Sequence, residues 1–319
     1  MALGARSLLW FMRHSGYAGT LPCVIAAVID LDAATVLLQW AVGGLFIGWV
    51  TTRRREVGLG YGWMLRITYG LMAVGALIVG LRYGSVPVRE VACAAVICAT
   101  AVALGSSIHR RRVGVRGSST EHDRRSARVR EMTGIDRRVD LVEIEPDQDG
   151  MSEFDPRLDL IPVIVGSFGL VAAGMAAAEG GLDTMLSVAR VLVGAVFLGA
   201  ITDAMLLGHW YLVQPGLPRR HLNELVRIVG VTWPLEVGVL LVPTGMVSVL
   251  NGTIDDGWNG TLGWFWVACA ITTIVLVRVT VAALAEKQYS AVMAATGLLY
   301  LAILSAFGTD LVARAVLAG

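Results

Sequence analysis

Arg190, Asp203, Glu236, Arg278 and Asp310 each stand inside a long apolar stretch of this 319-residue chain. An unpaired charge at the centre of a bilayer costs roughly 3 kcal/mol or more, so each needs a partner, a proton or a water-lined cavity. Advancing about 1.5 Å per residue puts Asp203 and Arg278 roughly 7–8 Å to the same side of the bilayer centre. The two are expected to form an ion pair. Arg190 and Asp310 fall together nearer the opposite surface, with Arg314 one turn beyond, and make a second expected pair. Both pairs read as structural ties between helices.

Glu236 differs from these four. It falls near the midpoint of its stretch, with no basic residue at its depth and with Pro234 and Pro243 to either side. Proline removes a helical donor and frees carbonyls, so a kinked helix is expected around the acid. Thr272, Thr273 and Tyr300 lie at comparable depth and would hydrogen-bond a neutral carboxyl. Such a group either packs against hydroxyls or handles protons or substrate, the usual role of an intramembrane acid.

A second constellation is Gly208-His209-Trp210-Tyr211, followed by Arg219 and His221. Trp and Tyr suit the aromatic belt at the membrane surface. Together with His209, Arg219 and His221 they outline an inner-interface pocket for a quinone or a lipid headgroup. A transmembrane haem needs two histidines at one depth. His14 and His122 lie elsewhere, and His109 and His221 sit at the headgroup boundary, so haem is disfavoured. Cys23, Cys93, Cys98 and Cys269 form no CxxC pair and have no histidine at ligand spacing, which gives no metal site. P-loop, HExxH and GxSxG patterns are absent, so the reading leans away from an enzyme.

The elements carrying these residues follow from composition. The chain is 55% hydrophobic and 16% charged, with a mean hydropathy of +0.67; soluble domains carry roughly 25% charged residues. A span needs about 20 apolar residues. Eight stretches qualify: 33–52, 61–81, 87–108, 158–178, 184–212, 224–250, 262–285 and 290–317. Between His109 and Arg157 lie eleven Arg and eleven acidic residues, a solvated linker without a helical apolar stripe. Arginines crowd alternate loops, at Arg53-Arg54-Arg55, the linker and Arg219-Arg220, which by the positive-inside rule makes those loops cytoplasmic. Arg66, a turn inside the second span, is expected to snorkel to the inner headgroups. Gly166, Gly169, Ala173 and Ala177 form a small-residue face for close helix packing. Only one of the 26 basic residues is Lys, which suggests a high-GC bacterial genome.

The expected architecture is an all-α polytopic transmembrane bundle of about eight spans with one polar cytoplasmic loop, in a bacterial inner membrane. Its parts are an interfacial or re-entrant segment at 1–32, three helices at 33–108, the linker at 109–157 and a five-helix core at 158–319. The intramembrane charges place any functional centre in that core. Three functions fit: a membrane subunit of a respiratory or quinone-linked complex, a secondary transporter coupled through Glu236, or an assembly scaffold. The expected partners are membrane lipid and other subunits of a membrane complex, with no nucleic acid.

Overall fold

The computed structural model describes residues 32–111, 154–178, 180–214, 217–241, 245–286 and 288–317. The proposed N-terminal segment, most of the charged linker, Glu179, Pro243 and Lys287 lie outside them. The helices are α1 Ala33–Thr52, α2 Leu59–Tyr83, α3 Pro87–His109, α4 Leu160–Ala176 (entered through a 3-10 turn, Pro156–Asp159), α5 Gly181–Val213, α6 Arg220–Leu241, the short α7 Met246–Leu250, α8 Thr261–Ala285 and α9 Tyr289–Leu317. The described residues contain no strand, and the fold is an all-α polytopic bundle. Seven helices, α1 to α5, α8 and α9, are long and apolar enough to cross a membrane.

The expected sixth span, 224–250, is not one helix. Its helix begins at Arg220, ends at Leu241, and the chain resumes as the five-residue α7. Glu224, Arg227 and Glu236 make α6 less apolar than its neighbours, and Pro234 interrupts its hydrogen-bond ladder. Gly245 lies close to the helix end: a Cβ on it would lie 2.0 Å from the Leu240 carbonyl oxygen.

At the centre of the bundle α1 packs against α5. Both are apolar on every side, as a helix surrounded by protein must be. They run parallel and touch through glycine. A Cβ on Gly43 would lie 1.8 Å from the Ala195 carbonyl oxygen, and one on Gly199 would lie 2.3 Å from the Gly43 carbonyl carbon. Small residues allow such backbone contact, which dispersion and interhelical hydrogen bonds then stabilise. Trp40 Nε1 donates to Thr202 Oγ1 across this seam at 2.8 Å. The glycine face expected on α4 is also used: Gly166 seats against Val42 and Gly169 against Ala92. Around this centre the outer helices turn Leu71, Phe168, Trp264 and Leu304 outward, an apolar surface suited to lipid.

The arginine-rich loops gather at one end of the bundle. Arg53 and Arg54 hold Glu224 at 2.7 and 3.0 Å, while Arg220 and His221 hold Glu56. Arg66 does not snorkel: it is 4% exposed, paired in bidentate fashion with Asp159 at 2.7 Å, and stacked on Phe154. The Arg220 hydrogen bond holds the Glu56 carboxyl below its ordinary range, His221 adding to the effect against partial desolvation. A lowered folded-state value means the contribution is complete above about pH 4.3, the ordinary Glu value. It disappears as pH falls through the lower folded value. Thermal melts of Glu56→Gln should therefore show a shallower loss of stability than the parent as pH drops below about 4.3. Parallel curves would show that the Glu56 contact does not link these loops.

Candidate functional site

Glu236 is 1% exposed, and neither carboxyl oxygen has a hydrogen-bond partner among the described residues. Its surroundings correct the expectation. Thr272 and Tyr300 face outward, and Thr273 Oγ1 bonds to Cys269 O and Ser305 Oγ, each at 2.8 Å. The charged groups near Glu236 are instead Asp310, Arg314 and Arg190. The early end of α6 explains this. Glu236 lies five residues from Leu241, about 7.5 Å from the helix end, rather than mid-span, and this raises it to the level of Arg190.

Three helices make the pocket. Gly194 on α5 leaves the gap: a Cβ there would meet Gln39 Nε2 at 2.4 Å and Glu236 Oε1 at 3.5 Å. Gln39, a lone amide on apolar α1, accepts from Arg314 Nη2 at 2.5 Å. Arg314 Nε is 3.0 Å from both oxygens of Asp310, one helical turn before it. So Asp310 forms its ion pair within α9, not with Arg190. Arg190 Nε donates to the Val239 carbonyl at 2.7 Å, and a Cβ on Gly245 would stand 3.0 Å from its Nη2. The last carbonyls of a helix lack intrahelical donors and carry partial negative charge, so Arg190 complements the broken end of α6. Gln39, Arg190, Glu236, Asp310 and Arg314 are all 2% exposed or less.

Beside this cluster lies a cavity of about 60 Å³, lined in part by Arg89, Arg190, Arg314, Asp32 and Thr35. Arg89, fully buried, pairs with Asp32, with Glu90 at 2.7 Å and with Thr35 at 3.0 Å. The cavity lies where α1 and α3 begin and α4 ends, opposite the arginine-rich end. Sequence reasoning missed Arg89, because its position at the start of a span gives no sign of these contacts.

Asp203 is also buried, but its expected partner is elsewhere. The Tyr69 hydroxyl donates to Asp203 Oδ1, and the Tyr61 hydroxyl donates to the Asp203 carbonyl at 3.3 Å. Gly44 makes room for the Tyr69 ring, and Gly48 faces Asp203 Oδ2, which has no partner among the described residues. Arg278 is exposed on the outer side of α8 and never meets Asp203.

The inner-interface group does not assemble into one pocket wall. His209 is exposed. Trp210 bonds Gln214, the Tyr211 hydroxyl donates to Pro218 O at 2.8 Å, and His221 Nε2 meets Glu56 at 2.6 Å. Arg219 donates to the Glu286 and Gln288 carbonyls. These residues tie loops together. Among the described residues no cluster of His, Cys, Asp and Glu is arranged to hold a metal. No family model matches the chain, and no curated protein and no solved structure is similar to it.

Proposed function

We propose that this chain is a secondary transporter of a bacterial inner membrane that moves a small anion together with a proton, with Glu236 as the proton carrier. The observation that carries the reading is a buried carboxyl without hydrogen-bond donors among the described residues, set among two arginines near the end of α6. Transporter sites lie typically at helix breaks, where helix ends face the transported ion.

The charges give a mechanism. Ionised Glu236 and Asp310 lie among Arg190 and Arg314. A proton on Glu236 makes the surroundings of the cavity that Arg89, Arg190, Arg314 and Asp32 line more positive by one charge. An anion entering there gains from that added positive charge. Proton and anion therefore each favour the binding of the other, a coupling that is reciprocal by linkage. The cavity volume suits a carboxylate or phosphate group. Arginine distribution supports an orientation with the 53–58 and 109–157 loops cytoplasmic and the cavity facing outward. The rival reading as a quinone-linked subunit drew on the His209 region, where Tyr211, Arg219 and His221 are engaged in loop contacts and His209 is exposed.

The test is uptake of small carboxylates and inorganic anions into proteoliposomes holding a pH-sensitive dye, under an imposed pH gradient. The parent should accumulate at least one anion with protons. Glu236→Gln should stay folded and lose the response to the gradient. An undiminished response in Glu236→Gln would overturn the proposal. So would unfolding of this variant, which would make the carboxylate a structural counter-charge to the arginines.

A further inference from the structure

A groove of about 710 Å³ runs between α6 and α8 on the outer side of the bundle, away from the buried cluster. That lies within the roughly 300–1,000 Å³ typical of small-ligand sites. Its shape follows from local sequence. Pro234 deprives the Gly230 carbonyl of its helical donor and bends α6. Gly230 has no side chain to fill the gap, and a Cβ there would touch only Val277 Cγ1, at 3.8 Å. Trp233 Nε1 donates to the Ala270 carbonyl at 3.0 Å, holding the two helices together at the deep end.

Two guanidinium groups line this apolar groove. Arg227 lies seven residues from the start of α6, and Arg278 lies seven residues from the end of antiparallel α8. Both are therefore about 10 Å in from the arginine-rich end, at one level. Arg53, Arg54 and Arg66 at that end have acidic partners. Arg227 and Arg278 are exposed and have no ion pair among the described residues. Two cations facing hydrocarbon without counter-charge are costly, and a ligand that neutralises both relieves that cost. Basic pockets between transmembrane helices bind anionic lipid headgroups.

We propose that this groove holds an anionic phospholipid, its phosphate bridging Arg227 and Arg278 and its acyl chain lying along Val231, Pro234 and Ile274. Asn223, one turn nearer the surface, is placed to donate to the headgroup. Charge complementarity fixes the headgroup class, and the apolar walls beneath select a lipid over a free ion.

Thermal shift of the purified protein in a neutral detergent tests this, with phosphatidylglycerol, phosphatidylcholine and inorganic phosphate as separate probes. Phosphatidylglycerol should raise the melting temperature at concentrations where the other two do not. Arg227→Gln/Arg278→Gln should weaken that response about tenfold or more, as expected for losing charge-assisted hydrogen bonds. Gly230→Leu keeps both charges but fills the groove, and should weaken it as well. Equal responses to phosphatidylglycerol and phosphatidylcholine would overturn the proposal. An inorganic phosphate response as large as that to lipid would assign the arginines to a free anion instead. Unchanged responses in both variants would place lipid binding elsewhere and leave the arginines to the acidic face of a partner protein.

Discussion

Arg314→Gln is expected to lower folded yield sharply, with a loss of about 3–5 kcal/mol, the usual cost of breaking a buried pair from one side. Arg314, 1% exposed, holds both oxygens of Asp310 and the Gln39 side chain, so its removal strands a carboxylate and an amide at once. Asp310→Asn in the same chain should recover part of that loss, because the stranded charge is gone. The measurement is a melting curve by fluorescence-detected size exclusion for the two single variants and the double. Strictly additive losses would mean that Asp310 and Arg314 are not energetically coupled.

Gly43→Val should be comparably damaging for a different reason. Its new Cβ would fall 1.8 Å from the Ala195 carbonyl oxygen, and that atom belongs to the backbone of α5 and cannot rotate away. The central helices would have to separate, breaking the Trp40–Thr202 hydrogen bond and displacing Gln39 and Gly194 at the site. Overpacking of a tight core costs about 1–3 kcal/mol and occasionally more, and a backbone clash belongs to the severe end. Gly297→Ala on α9 is the control, because a Cβ there meets nothing within 4 Å. A parent-like melt for Gly43→Val would show that α1 and α5 are further apart than described here.

Much of the fold is legible from composition alone. Among the described residues seven helices form where about 20 apolar residues run between Gly, Pro and polar clusters, because a helix satisfies its backbone groups within one segment, as a bilayer demands. The sixth stretch misled because 224–250 averages apolar across a break. Pro234 and Gly245 were visible, but the end of α6 at Leu241 depends on what the chain packs against. The same break displaced the site: counted from a 27-residue span, Glu236 lies far from Arg190, and counted from the end of α6 it lies level with it. Asp310–Arg314 was legible, being four residues apart on one helix face. Gln39 was a subtler sign, the lone amide on an otherwise apolar helix.

What the sequence by itself determined is that the chain crosses a membrane repeatedly, that its arginines gather at one end, and that Glu236 is a buried acid. Those properties follow from apolar length and from the local placement of charge, which act within a segment or over a few residues. The tertiary structure alone decided which charges on different helices meet. Depth along a helix can be counted from sequence, but the direction a side chain faces depends on helix rotation, and that is set by which helices pack together. Asp203 meets Tyr69 instead of Arg278 because α5 turns toward α1 and α2, drawn in by Gly43, Gly44 and Gly48. Arg278 faces outward because α8 is peripheral, leaving it beside Arg227 on the groove.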